Sequence, residues 1–352
     1  MRILIYSDLQ ATEGSDRCRH DPSLPLQRYR VKRCYDELVQ LAATERCDRI
    51  CDLGDTTDDR TFIYRATLDV LTDGLTRLVA GNHGFIKLTG NHEQLLKDGR
   101  IAAEGLYRPY FRNVGSGQVD VNGCIFVFRS YTDQYEALNA ELAETADNLR
   151  RINPRERLIL LAHGDVKGAR YASGETCDEG ISLATLDKFD IALLGHVHNH
   201  QCLLKGKAWF VGSPFQQDFG EAAQQKFVVV LDVSGEHGSV KFVQMDGFPE
   251  YRTVTLKDFL ALANPKEEHR YRVILDSVEE TERFYSHPLA ELAEARLTYS
   301  EEATASSSEE VQLTDDPRRL LERYVAARPL TGLPELSSND LVDLAMSFVG
   351  GD

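Results

Sequence analysis

The feature that most constrains this chain is a series of short apolar runs with glycine, asparagine, aspartate and histidine collected where they end. The runs are Ile3–Tyr6, Ile50–Leu53, Ile86–Leu88, Ile125–Phe128, Leu158–Ala162, Ile191–Leu194, Trp209–Val211 and Phe227–Leu231. Most are too short for helices, so they predict strands. Between them, 26–44 and 62–78 carry apolar residues at three- and four-residue spacings, such as Cys34, Leu38 and Leu41, which predicts helices lying on a sheet. Apolar strands alternating with amphipathic helices describe a layered α/β domain.

Composition agrees. With 352 residues, 42% hydrophobic and 27% charged, the chain can bury a full core and carry an appendage. No run approaches the ~20 apolar residues of a membrane span. The N-terminus enters a strand pattern directly, without signal-peptide anatomy. The seven cysteines (18, 34, 47, 51, 124, 177 and 202) are scattered and contain no C-x-x-C pair, so neither a disulfide framework nor a zinc knuckle is indicated. A cytoplasmic protein without membrane association is expected. Net charge is −16, which argues against a protein that holds nucleic acid by a broad basic surface.

The α/β pattern occupies residues 1–250. A smaller unit follows over 251–299, with a strand expected at Tyr271–Leu275 and a short helix at Pro288–Leu297. Residues 300–316 contain six acids, no base and a serine cluster, the composition of a solvated linker. Over 317–352, two amphipathic stretches, Pro317–Ala327 and Ser338–Phe348, read as helices. Two isolated helices cannot bury their own apolar stripes, so they are expected to dock on something else. The last 102 residues, from Tyr251, hold 11 basic against 20 acidic residues, so the acidic excess is concentrated there.

The polar clusters are Asp8 and Gln10, Gly54-Asp55 with Asp58, Gly90-Asn91-His92-Glu93, His163, and Gly195-His196-Val197-His198. Carboxylate, amide and imidazole donors without thiolates suit a divalent ion such as manganese. Ligands at the carboxyl ends of several strands converge on one edge of a sheet. Taken alone, Asp-x-Gln or Gly-Asp is as readily a turn. Gly-His-Val-His is harder to dismiss, although His200, which continues its alternation, is read as exposed. Gly-Asn-His occurs twice, at 81–83 and 90–92. The first follows a helical stretch and resembles a helix stop; the second follows an apolar run, so Asn91 and His92 are taken as the site.

These motifs resemble the calcineurin-like metallophosphoesterase superfamily over residues 1 to about 250. Within it, Val211-Gly-Ser-Pro-Phe-Gln-Gln-Asp-Phe-Gly-Glu221 is similar to the Gly-Ser-Pro and Phe-Gly-Glu signature of SbcD-type double-strand-break repair nucleases. Gly54-Asp-Thr-Thr-Asp-Asp-Arg60 looks like the second motif of the T-even bacteriophage recombination nuclease subunits, which leans towards a phage origin. The resemblance implies a four-layer metallophosphoesterase β-sandwich flanked by helices, a small α+β capping domain that contacts DNA, and C-terminal helices that dock on an SMC-like coiled-coil ATPase of the SbcC type. It also implies a homodimer, for which 26–44 and 62–78 are candidate interfaces.

Carried over residue by residue, the resemblance gives one divalent metal to Asp8, Gln10, Asp55 and His198 and a second to Asp55, Asn91, His163 and His196. Manganese is expected, with magnesium as the alternative. A water activated by both ions would attack phosphorus. His92 would bind no metal but stabilise the transition state or protonate the departing oxygen. Glu93 would orient and pair with His92 or cap the following helix. Gln10 departs from the family's usual histidine, implying a weaker first site or one that takes magnesium more readily.

The implied activity is DNA exonuclease and endonuclease action in an end-processing complex for recombination and repair. A stand-alone metallophosphatase or small-molecule phosphodiesterase is the alternative, and a third reading is a non-enzymatic adaptor. The basic cluster Arg28, Arg30, Lys32 and Arg33, with Arg17 and Arg19, is read equally as a solvated face or as phosphate contacts.

Overall fold

The computed structural model describes residues 1–13, 24–81, 83–95, 104–234, 238–262, 269–290 and 293–298. The first sheet is built from β1 (Arg2–Tyr6), β2 (Arg49–Asp52), β3 (His83–Lys87), β4 (Phe111–Val114), and two later strands described below. The second uses β5 (Gly117–Val121), β6 (Cys124–Arg129), β7 (Arg157–His163), β8 (Ile191–Gly195), β9 (Gln201–Leu204) and β10 (Ala208–Phe210). Strands β11 (Phe227–Asp232) and β12 (Ser239–Gln244) return to the first sheet, giving the orders β12-β11-β1-β2-β3-β4 and β5-β6-β7-β8-β10-β9.

Alternation along the strands makes the layers. In β1, Ile3 and Ile5 face the second sheet, and Leu4 and Tyr6 face outward; in β7, Ile159 and Leu161 face inward, and Leu158 and Leu160 outward. The inner faces share one core between the sheets. Helices α1 (Leu26–Thr44) and α2 (Arg65–Ala80) cover the first sheet, while α4 (Tyr135–Ile152) and α5 (Leu183–Leu186) cover the second; a short α3 (Glu104–Tyr107) precedes β4. The result is the expected helix, sheet, sheet, helix stack. The strand pairs β1–β2, β2–β3, β6–β7 and β7–β8 are parallel, so their carboxyl ends deliver the polar clusters at one edge.

Helix α2 begins at Arg65 rather than at Phe62 because the Asp59 carboxylate accepts the Thr61 N–H at 3.0 Å and holds a turn there, leaving Phe62 and Tyr64 exposed. Gly81 caps α2, as its helix-stop reading expects.

Strands β13 (Tyr251–Thr255), β14 (Arg270–Leu275) and β15 (Ala293–Leu297) form a third sheet with its own core, which includes Phe259 of α6 (Leu256–Leu260) and Phe284 of α7 (Val278–Tyr285). The helix expected at Pro288–Leu297 is therefore corrected. Its second half is β15, which completes the sheet beside β14 and puts Ala293 and Ala295 on the small core. The helix of this region is the preceding α7. Residues 1–275 and 282–296 form one compact unit. Of the second unit only 276–281, Leu297 and Thr298 are described. The linker 300–316, both C-terminal helices, and Arg17 and Arg19 lie outside the described residues. No helix among the described residues is long and apolar enough to cross a membrane.

Candidate metal centre

The loops after β1 and β2 run side by side beyond the sheet. Asp8 N–H donates to the Gly54 carbonyl at 3.0 Å, Gln10 N–H to Asp55 at 2.9 Å and Ala11 N–H to Thr56 at 2.8 Å. This pairing fixes Asp8, Gln10 and Asp55 against one another. All three have positive φ (54°, 51° and 52°), as does His196 (98°). Non-glycine residues in that region are strained and persist where the surroundings over-determine them, which happens at functional sites. Gly54, at φ 113°, could carry no side chain: a Cβ would lie 2.6 Å from His163 Nδ1. A Cβ on Gly90 would lie 2.0 Å from Asp55 Oδ1.

Asp55, His163 and His196 place ligand atoms within 4.8 Å of one another. Asn91 joins them, its Oδ1 lying 3.3 Å from His163 Nε2 and 2.8 Å from His196 Nδ1. His163 Nε2 is 3.3 Å from Asp55 Oδ2. On the other side of Asp55, Gln10 Nε2 lies 3.3 Å from the same Oδ2. Gln10 Oε1 is buried with no hydrogen-bond partner among the described residues. A buried carbonyl oxygen without a hydrogen-bond partner in this donor cluster has the chemistry of a cation ligand. Asp8 accepts the His196 backbone N–H on both oxygens, at 3.1 and 3.0 Å.

Each histidine has one ring nitrogen held by an acceptor, which leaves the other available. His163 Nδ1 donates to the Leu53 carbonyl at 2.7 Å, so Nε2 faces Asp55 and Asn91. His196 Nε2 lies 3.2 Å from Asp165 Oδ1, so Nδ1 faces Asn91. His198 Nδ1 donates to Glu221 Oε1 at 2.6 Å, leaving its Nε2. Such partners fix tautomer and ring orientation at metal sites. The donor set therefore fits a pair of divalent ions of borderline-hard character.

The electrostatics show charge held in place. Burial alone would raise the Asp55 pKa, but His163 and His92 outweigh it and hold the carboxyl well below the usual range. Burial would lower His163, yet Asp55 and Asp8 push it up to about 9. Burial likewise opposes the Glu221 charge, but His198 and Lys226 bring it down to about 2. Lys226 Nζ is 2.5 Å from Glu221 Oε2 and also donates to Ser213 Oγ at 2.9 Å.

His92 sits apart from this cluster. Its Nδ1 donates to the Asp58 carbonyl at 2.5 Å and lies 3.4 Å from Asp58 Oδ1, while its backbone N–H donates to Asp55 Oδ1 at 2.9 Å. A carbonyl can only accept, so Nδ1 carries the hydrogen and Nε2 is the exchangeable position. Glu93 does not pair with His92. It accepts the Gly90 N–H at 3.0 Å and so caps its own turn, and its carboxylate is buried against Lys87. His200 is half-buried rather than exposed, because its ring packs 4.4 Å from Phe242 and 5.0 Å from Phe227.

Sequence reasoning missed Asp165 and Glu221 as positioning residues. Asp165 is two residues past His163, and Glu221 closes the Phe-Gly-Glu triplet, but only the fold brings them to His196 and His198. Asp165 itself is held by Tyr135 Oη at 2.9 Å, by Tyr171 Oη and by Cys177 Sγ at 3.2 Å.

The calcineurin-like phosphoesterase family model matches residues 1–200. Among solved structures, the chain is similar to a dimetal phosphatase from Danio rerio (13% identity, 70% of this chain and 99% of that one, TM-score 0.41). It is also similar to a 5'-nucleotidase precursor from Thermus thermophilus (14% identity, 70% of this chain and 54% of that one, TM-score 0.38). Among curated proteins, none matches this sequence.

Proposed function

Because the chain belongs to the calcineurin-like phosphoesterase family, we propose that it is a manganese-dependent DNA nuclease subunit that processes DNA ends together with an SMC-like ATPase. One observation carries the reading. The segment 211–221, whose sequence is similar to the signature of SbcD-type nucleases, is built into the candidate centre: Glu221 orients His198, and Gln217 Nε2 donates to the Asp8 carbonyl at 3.4 Å.

When bound, the two ions supply Lewis-acid charge and a water acidified to near neutral pH. Asp55 would be the carboxylate shared by both, with Asp8, Gln10 and His198 holding one ion and Asn91, His163 and His196 the other. His92, held by Asp58, presents Nε2 to the departing sugar oxygen. Its ring Nδ1 is held at the Asp58 carbonyl and its backbone N–H at Asp55 Oδ1, which fixes the ring orientation for proton donation.

The test is manganese-dependent cleavage of end-labelled duplex and single-stranded DNA by the full chain, beside Asp55→Ala and His92→Gln. Cleavage should vanish in Asp55→Ala. In His92→Gln it should fall by roughly 10²–10⁴ with manganese affinity retained. Turnover of a phosphomonoester without DNA cleavage would establish the phosphatase instead. Truncation from Pro317 should leave catalysis intact and abolish co-purification with the ATPase. Light scattering tests the homodimer that belongs to the same reading.

A further inference from the structure

The basic cluster on α1 does not form one face. Arg28 pairs with Glu13 at 3.1 Å, and Arg33 lies 3.5 Å from Glu37 and 5.3 Å from the Phe248 ring centre. Arg30 is different. Its residue is 1% exposed, and among the described residues no carboxylate pairs with it. Nη1 donates to Tyr251 Oη at 3.2 Å, Nη2 to the Pro249 carbonyl at 3.0 Å, and the guanidinium stands 4.7 Å from the Tyr251 ring centre. Nε is buried with no hydrogen-bond partner among the described residues.

Packing between α1 and β13 accounts for the stem and for two N–H groups, but not for the charge. A hydroxyl and a carbonyl are neutral, and a buried cation is costly without a counter-charge. Arg30 also lines a cavity of about 350 Å³ that it shares with Gln10, His92 and His198 of the candidate centre. The other walls include the neutral amides of Gln27 and Gln217. The two carboxylates there have partners: Asp58 lies against His92, and Asp218 Oδ1 accepts the Gly220 N–H at 2.6 Å. A cavity of this size exceeds the needs of one phosphate and falls in the range that holds a nucleotide-sized ligand.

We infer that Arg30 is a phosphate-binding residue, clamping a second phosphate of a substrate whose scissile phosphate lies at the metal centre. This rests on the phosphodiesterase reading and narrows it to a substrate with successive phosphates, as in a nucleic-acid strand. A guanidinium is suited to that task because its fixed fork matches two phosphate oxygens. Tyr251, stacked on the guanidinium, holds the fork in plane at the cavity wall.

The probes are thymidine 3',5'-bisphosphate and thymidine 5'-monophosphate, titrated calorimetrically into the manganese-loaded full chain. The native protein should prefer the bisphosphate by about 10-fold or more, the scale of one charge-assisted hydrogen-bond pair. Arg30→Met should erase that preference while keeping monophosphate affinity, and Arg30→Lys should keep part of it. Arg30→Met should melt no lower than the native chain, since it removes an uncompensated charge. If that variant fails to fold, the Arg30→Lys comparison decides. A native protein without the preference, a variant that keeps it, or equal loss of both probes would overturn the inference. DNA left uncut while the preference persists would sink the nuclease reading alone.

Discussion

Lys87 is the buried cation on which the candidate centre leans, and Lys87→Met isolates its contribution. The side chain is fully buried in β3, with Nζ 2.9 Å from both Glu93 oxygens, 3.4 Å from Asp52 Oδ1 and 2.7 Å from the Leu88 carbonyl. Burial works against its charge, but Asp52 and Glu93 more than offset this and raise its pKa. The two carboxylates hold the loops that carry the site. Glu93 accepts the Thr56 and Gly90 N–H groups at 3.1 and 3.0 Å, and Asp52 accepts the Gly54 N–H at 2.9 Å and the Thr56 hydroxyl at 2.6 Å. Methionine keeps the volume and removes the charge, leaving two buried carboxylates without a cation. Breaking a buried pair in this way costs about 3–5 kcal/mol. At roughly 2 °C per kcal/mol for a large domain, the melting temperature should fall by about 6–10 °C. The loss should also depend on pH. Burial already raises Asp52 above the usual carboxylate range, and removing Lys87 raises it further. A raised carboxylate is penalised while ionised, so the deficit should be smaller at pH 5 than at pH 8. Glu93→Gln in the same chain should recover part of it. Urea unfolding at both pH values is the assay. A loss under about 1 kcal/mol that does not vary with pH would refute the reasoning.

Glu221→Gln should weaken manganese binding by about 10–100-fold, the usual cost of removing a carboxylate behind a ligating histidine; equilibrium dialysis measures it, and unchanged affinity would mean that His198 needs no orienting partner. Gln10→His should tighten manganese binding, with calorimetry as the check, because imidazole donates more strongly than an amide oxygen. His163 has a folded pKa raised from 6.5 to about 9. Its contribution to the metal-free protein is therefore complete below pH 6.5 and lost as pH rises through 9, while metal affinity rises over the same window as the proton leaves. Metal-free melting temperatures and manganese affinities between pH 6 and pH 9.5 should move in opposite directions.

The sequence by itself determined the layered core and the order of the polar clusters, because both rest on local rules. Strand periodicity decides which residues face inward, and a strand's carboxyl end decides where Asp8, Asp55, Asn91, His163 and His196 emerge. Helix 26–44 was legible for the same reason, its apolar stripe being continuous. The 288–297 segment was not, because Ala293 and Ala295 suit a helix as well as a strand and only pairing beside β14 settles which. His200 was misread since its burial comes from Phe227 and Phe242, distant in sequence. The partners that orient the site were equally hidden: Asp165 is 31 residues from His196 and Glu221 is 23 from His198. The charge of Arg30 belongs with these, since a basic run on a helix gives no sign of which cation is buried. Which groups meet across such separations is fixed by packing, and packing is where burial sets the cost of an unpaired charge and so decides what each side chain can do.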